Sequence, residues 1–391
     1  MIQIIKVLMV VQNNFVNDSR IIKEANSLGK NGYKVLVLAL HEIGLKEIEK
    51  FEYFDVERVH LITRNKLSKL NVYAQSIKYI EFFNKCIRRA KIFQPDIVHC
   101  HDIYTLPIGE KIKKICKCKF IYDSHELWSD VSHRKSSYIY TSFKNNLEKK
   151  IVKKSDAVIT VCNSIGNKLK EQYNLDQKIV IVRNIPLKRD LQQDNDIFRK
   201  KYNLDSEKKI LLYQGGVQDG RGIEKIVRTM RYLDFKIILI ILGNGSLIPD
   251  LKHLTKELKI ENRVFFHDAV SQEILLDYTS SADLGIHLME NTCLNHYYAL
   301  PNKIFEYIQA NIPIVCSDFP EMKNIIINFK IGEVVDPTDE SKIAKVINDV
   351  MLSQDKFEIY KTNCKNAKDI LNWENEETIL LELYRNISVS V

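Results

Sequence analysis

The sequence has no apolar run long enough to cross a bilayer. It has no zinc-finger spacing, no aromatic RNP-type motif and no concentrated basic arm, so a nucleic-acid-binding role is disfavoured despite the basic balance. Neither a Walker lysine nor a complete G-x-G-x-x-G occurs, which argues against nucleoside-triphosphate cleavage and against a dinucleotide fingerprint. Its eight cysteines are scattered, and Cys116 and Cys118 stand too close for the usual zinc knuckle, so a reduced cytoplasm fits best. No short repeat or low-complexity tract is present. The opening "MIQIIKVLMVVQNN" carries its one lysine inside the apolar run and no small-residue cleavage site follows, so a first buried strand is expected rather than a signal peptide.

What is present is length, a mild positive charge and alternation. A chain of 391 residues exceeds one ordinary core and reads as two domains. The net charge of +8 suits anionic substrates or an anionic membrane surface. Apolar bursts alternate with amphipathic stretches throughout, the pattern of parallel strands joined by crossover helices. Strands are expected at Ile2–Val11, Lys34–Leu40, Ile97–Cys100, Phe120–Asp123, Ala157–Val161 and Ile179–Val182, with helices at Asp18–Asn31 and Leu70–Phe93. The polar segment "RNIPLKRDLQQDNDIFRKKYNLDSEKK" is expected as a linker. Strands then restart at Ile210–Gln214, Lys236–Leu242, Val264–Phe266, Leu284–His287, Ile314–Cys316 and Gly332–Val335, followed by a helical tail from Asp355 to Asn386 with a break near Trp373. The expected fold class is α/β, two doubly wound Rossmann-like domains facing a cleft, with ligands at strand carboxyl ends. The boundaries expected are 1–187 and 188–372, with a helix at about 373–391 packing back on the first domain.

Several stretches carry chemistry. In "YYALPNKIFEYIQANIPIV", Pro301 suits a first helical position, Ile304, Phe305 and Ile308 form a buried stripe, and Asn302 and Glu306 share another face. That helix mouth could seat a phosphate, or Lys303 could simply pair with Glu306 in solvent. "LLYQGGVQDGRGIEKIV" places Gly215, Gly216, Gly220 and Gly222 between a strand and a helix, where Arg221 suits a diphosphate or is a solvated loop residue. "ILGNGSL" repeats the turn with Gly243 and Gly245, where a base or ribose could lie. "DIVHCHDIYTLP" sets His99 and His101 on one strand face, with Asp102 beside them. Zinc lacks an evident third ligand there unless "DSHELWSD" brings His125 and Glu126 alongside, so His101 is expected to hydrogen-bond substrate and His99 to be a core residue. Asp194-Asn195-Asp196 has metal-like spacing but sits in the charged connecting segment. The basic stretch from Arg134 to Lys154, with Tyr138, Ile139, Tyr140 and Phe143, could lie on anionic headgroups or be an ordinary solvated helix.

Taken in order, "DIVHCHD", "YQGG…GRG", "ILGNG", "RVFFHDAV" and "LPNKIFEYIQANIPIVCSD" resemble the family 4 retaining glycosyltransferases of GT-B architecture, in a Pro-Asn-Lys variant, over nearly the whole chain. The resemblance implies that Glu306 binds the ribose hydroxyls, that Arg221 and Lys303 grip the diphosphate, and that His101 meets the donor sugar. It implies a donor site of Gly215, Gly216, Arg221, Gly243, Asn244 and Val270, continued by Tyr298, Leu300, Pro301, Asn302, Lys303 and Glu306. Asn13, Asn14, His125 and Glu126 fall on the acceptor side. The sequence departs from the family at Tyr298, where a first glutamate is usual, and at Gly216, where a second basic residue is common. The implied activity is transfer of a hexosyl or N-acetylhexosaminyl group, with retention, from a nucleotide-diphosphate sugar, UDP favoured. The acceptor would be a glycan, lipid-linked or other cell-envelope molecule. No cofactor and no metal are expected, and no nucleic-acid partner. The expected location is cytoplasmic, with peripheral contact at the inner face of an anionic membrane. A nucleotide-sugar epimerase and a non-catalytic glycan-binding or partner subunit remain as alternatives.

Overall fold

The computed structural model describes residues 4–16, 18–64, 72–130, 138–191 and 195–388. Two compact units emerge, one built from residues 1–183 and 377–391, the other from 184–376.

The first unit has a sheet of β1 (Lys6–Val10), β2 (Lys34–Leu40), β3 (Ile48–Lys50), β4 (Phe54–Val59), β5 (Ile97–His101), β6 (Lys119–Ser124), β7 (Ala157–Thr160) and β8 (Ile179–Ile181). Their order is β3-β4-β2-β1-β5-β6-β7-β8, parallel except for the β3–β4 pair. Val7, Leu8, Met9 and Val10 are wholly buried, as expected of a central strand covered on both faces. The chain leaves β1 toward β2 on one side while β5 lies on the other, so the order reverses at the carboxyl ends of β1 and β5. The sequence pattern missed β3 and β4, a short pair whose alternating "FDVERV" lacks a continuous apolar burst. β1 is shorter than expected, with Ile4 exposed ahead of it.

The second unit has β9 (Lys209–Gln214), β10 (Ile237–Leu242), β11 (Val264–His267), β12 (Leu284–His287), β13 (Ile314–Ser317) and β14 (Gly332–Val335). The order is β11-β10-β9-β12-β13-β14, all parallel, and here the reversal falls between β9 and β12. Tyr307, from the helix Asn302–Gln309, is wholly buried there, its hydroxyl 3.1 Å from the Leu212 carbonyl and 3.3 Å from that of Ile286. Gly285 makes room for that ring, since a Cβ on it would stand 2.5 Å from the Tyr307 ring carbons. Pro301 is the cap residue, extended at φ −69 and ψ 140, rather than the first helical position. Its fixed φ fits either place, and the extended ψ puts the first free N–H on Asn302.

The expected linker is structured in part. The helix Ile197–Tyr202 forms inside it, and Phe198 is wholly buried in the second unit among Ile185, Leu212 and Ile240. A single aromatic anchor among charges gives no periodic signal, so the docking escaped the sequence pattern. Replacing Phe198 with alanine is expected to destabilise the protein by about 3–5 kcal/mol, the scale of an emptied aromatic site. Urea unfolding checks it, and a change near zero would restore a solvated linker.

Candidate functional site

In the first unit the strand reversal gathers charge. The register sets His101 on β5 directly beside Asp123 on β6. Arg20, on the helix Ser19–Lys30, faces the Asp123 carboxylate with Nε at 3.1 Å and a terminal nitrogen at 2.9 Å, and its Nε lies 3.0 Å from Glu24. All three side chains are almost fully buried. His125 Nε2 lies 3.0 Å, and His101 Nδ1 3.3 Å, from the same Asp123 oxygen. Burial works against the Asp123 charge, yet Arg20 and His125 hold its carboxyl well below the usual range. Burial raises the Glu24 carboxyl above its ordinary value, against the pull of Arg20. Asp102 adopts a left-handed φ of 63 and takes hydrogen bonds from the His125 amide and from Trp128 Nε1 at 3.2 Å. A cavity of about 210 Å³ opens beside them, lined among others by Asn13, Asp18, His101, Asp102 and Tyr104.

The ligand set that the sequence left incomplete is filled by other residues: Glu24, His99, His101 and Asp123 offer donor atoms within 4.8 Å of one another. His125 sits beside them through Asp123, and the Glu126 carbonyl accepts from Ser124 Oγ at 2.9 Å. A dication in this cluster would face the Arg20 guanidinium already bound to both carboxylates, and that group does not give up its proton. The cluster therefore suits an internally paired charge network better than a metal.

Of the residues expected on the acceptor side, Asn13 lines the cavity, its amide 2.7 Å from Asp18. Asn14 turns instead to Glu42 at 2.6 Å. Asp194 lies outside the described residues, and Asp196 stands half-exposed 3.8 Å from Arg199. Arg134 also lies outside them, as do the side chains of Tyr138, Ile139, Tyr140 and Phe143. The helix Tyr138–Val152 is not uniformly solvated, since Lys144 is buried over the rings of Trp128 at 4.6 Å and Tyr104 at 5.2 Å, and just past its end Lys154 pairs with Glu110.

In the second unit the two glycine turns pack on each other. A Cβ on Gly243 would stand 2.0 Å from the Gly215 carbonyl oxygen, and one on Gly245 1.9 Å from that of Val217. These glycines thus permit backbone to meet backbone, which holds Gly215, Gly216, Gly243 and Asn244 in one place. Asn244 binds Val217 through its carbonyl at 3.0 Å and the Ala269 amide through its side chain at 3.3 Å, next to Val270. Lys303 reaches the same turn, since a Cβ on Gly215 would come 3.1 Å from its Nζ. That ammonium lies 4.1 Å from the Tyr213 ring centroid, a cation–π contact. Burial lowers its pKa to about 7, with Arg221 pushing the same way and Glu306 opposing. Arg221 Nη1 touches Met289 Sδ at 3.6 Å. Glu306 Oε2 accepts from Gln214 Nε2 at 2.5 Å, and Thr279 Oγ1 orients that amide from 2.8 Å. Tyr298 caps the short helix Leu294–Tyr297, and Leu300 and Val270 both pack on the core of the second unit. Sequence reasoning missed Arg20, Glu24, Asp123, Tyr213 and Gln214. A carboxylate ending an apolar strand, as in "FIYDS", was the available signal for Asp123.

Residues 194–368 match the family described as Glycosyl transferases group 1, and residues 20–185 match Glycosyltransferase Family 4. The matches indicate a family 4-like glycosyltransferase. An uncharacterized glycosyltransferase of Methanocaldococcus jannaschii is 24% identical over 375 residues, 92% of each chain. The alpha-monoglucosyldiacylglycerol synthase of Streptococcus pneumoniae is 23% identical over 255 residues, 62% of this chain and 56% of the relative. Among solved structures, sucrose-phosphate synthase from Thermosynechococcus elongatus superposes with a TM-score of 0.82 at 16% identity over 99% of this chain and 100% of that one. Anabaena HepE in complex with UDP and glucose gives 0.75 at 14% identity over 98% and 100%. The fold is GT-B. No helix among the described residues is long and apolar enough to cross a membrane.

His125 carries a testable charge. Burial opposes it, but Asp102 and Asp123 raise its pKa from 6.5 to about 9. A raised folded-state value stabilises fully below about pH 6.5 and is lost as pH climbs through about 9. Urea melts across that window should show a fall of no more than about 3 kcal/mol, shared with Asp123, that His125→Gln flattens. An identical fall in the variant would assign it to another group.

Proposed function

We propose that the chain is a retaining glycosyltransferase that moves a hexosyl or N-acetylhexosaminyl group from a UDP-sugar to a glycan or lipid-linked acceptor, without a metal. The observation that carries this reading is Lys303 set against the Gly215 turn, near enough to Arg221 for that charge to lower its pKa, with Glu306 aligned by Gln214 one helical turn beyond Asn302. Two cations and the free N–H groups at a helix start suit a diphosphate. A carboxylate already oriented by a neutral amide suits the two hydroxyls of a ribose.

In the reaction, the bond between the anomeric carbon and the diphosphate oxygen breaks and a bond to the acceptor oxygen forms. The acceptor proton passes to the departing phosphate oxygen, so no dedicated carboxylate base is required. Lys303 and Arg221 stabilise the negative charge that grows on the diphosphate as it leaves. His101 is assigned to the sugar, with the Asp123 carboxylate 3.3 Å from its Nδ1. UDP in solved relatives of the same fold and lipid glucosylation in the name of one curated relative support the choice of donor and acceptor class.

Release of nucleoside diphosphate from a panel of nucleotide sugars, with and without acceptor and in the presence of EDTA, tests the proposal. Absence of turnover on every donor would overturn it, and turnover restored only by manganese or magnesium would overturn metal independence. Glu306→Ala should weaken UDP binding in calorimetry at least tenfold, the cost of a charged hydrogen-bond pair, with the melting temperature little changed. Unaltered affinity would remove the ribose assignment.

Lys303 makes affinity depend on pH. A diphosphate binds the protonated amine and raises its pKa from about 7, so UDP-glucose affinity should be constant below pH 7 and fall above it. Binding at pH 8 should take up protons, seen in calorimetry across buffers of different ionisation enthalpy. Lys303→Arg should abolish that uptake because the guanidinium stays charged.

A further inference from the structure

The C-terminal helix Trp373–Ser388 reaches the histidine cluster of the first unit. Its Tyr384 is wholly buried, and the hydroxyl lies 2.9 Å from His99 Nδ1. The other ring nitrogen of His99 has no hydrogen-bond partner and stands 3.9 Å from Asp123 Oδ2. His99 and His101 lie on one face of β5 with ring centroids 4.2 Å apart and planes inclined by 31°. His99 therefore forms the floor beneath His101, and its protonation pattern is part of the surroundings of Asp123.

The charges around His99 favour one tautomer. Burial drives the His99 pKa well below 6.5, with His101 pushing the same way, so the ring is neutral and carries one N–H. Burial likewise keeps the Tyr384 hydroxyl protonated. A proton on Nδ1 would leave the Nε2 lone pair facing the Asp123 carboxylate. With Tyr384 donating to Nδ1, the proton sits on Nε2 and its positive end faces that carboxylate instead.

We propose that Tyr384 is a positioning residue: by donating to His99 Nδ1 it fixes the Nε2–H tautomer, and through His99 and Asp123 it sets the orientation of His101. Among the described residues, the titratable and charged groups gathered around His101 are His99 on β5, Asp123 on β6, His125 and Asp102 in the strand-end loops, and Arg20 and Glu24 on the helix Ser19–Lys30. The catalytic consequence rests on the glycosyltransferase reading above, whereas the tautomer does not.

The test is two-bond nitrogen–proton correlation on histidine-labelled full-length protein, with His99→Gln, His101→Gln and His125→Gln as assignment controls. Wild-type His99 should show the Nε2–H pattern. Tyr384→Phe should lose it and shift the ring signals of His101. Ser27→Ala removes a 2.6 Å bond by which Glu377 ties the same helix to Ser27, so it should lower thermal stability and leave both histidine patterns in place. With UDP-glucose, or whichever UDP-sugar turns over, Tyr384→Phe should lower kcat roughly five- to tenfold, the scale of one neutral hydrogen bond, with KM unchanged. Wild-type histidine patterns in Tyr384→Phe, or the same disturbance in Ser27→Ala, would overturn the inference, as would altered patterns with unchanged kcat. Should no nucleotide sugar turn over, the transferase reading falls alone, and the histidine spectra still decide the tautomer and the His101 coupling.

Discussion

A parallel sheet whose strand order reverses must leave a gap at the carboxyl ends of two neighbouring strands, and each unit of this protein is organised by how that gap is closed. The helices that follow the two strands depart to opposite faces, so nothing in the backbone fills the space between them. In the second unit Tyr307 closes its lower part, with its hydroxyl at the carbonyls of β9 and β12. In the first unit Arg20, on the helix that follows β1, reaches past β5 to the Asp123 carboxylate on β6, which His125 shares beside His101. Removing either partner would leave a group with unmet hydrogen bonds or charge in a place water cannot reach freely, which is expensive.

The two solutions differ in chemistry, and the difference prepares different work. The first unit has an internally neutralised network in which Arg20 balances buried carboxylates and only the rim opens to a cavity. Such a network holds imidazoles in fixed directions. The second unit leaves positive charge under-compensated, with burial and the neighbouring Arg221 both lowering the affinity of Lys303 for its proton. Excess positive charge of this kind is the electrostatic complement of a polyanion, on which the proposed donor site rests.

Much of this was legible from the residues alone. Continuous apolar runs such as "IILIIL" buried on both faces identified the parallel strands, and Leu284–His287 and Gly332–Val335 form where the pattern put them. The helix Asn302–Gln309, its buried stripe and the polar face bearing Asn302 and Glu306 were legible because helical periodicity is a local property. β3, β4 and the Phe198 anchor were not, since a short edge strand and a lone aromatic have no period to read.

The sequence by itself determined the class of fold, the order of its elements and the types of residue at the strand ends, because propensity and periodicity act over a few residues. Tertiary structure alone decided which of those residues meet. His101 and Asp123 are far apart along the chain, and Tyr384 comes to His99 from the opposite end of it; the register of β5 on β6 sets the first pair side by side, and the docking of the last helix brings the second within hydrogen-bonding range. The glycines show the same division. Their clustering after β9 and β10 was visible in the sequence, but that Gly243 exists to admit the carbonyl of Gly215 follows only from the packing of one turn on another. Contacts of that kind depend on the distance between two backbones, a quantity that no local pattern encodes.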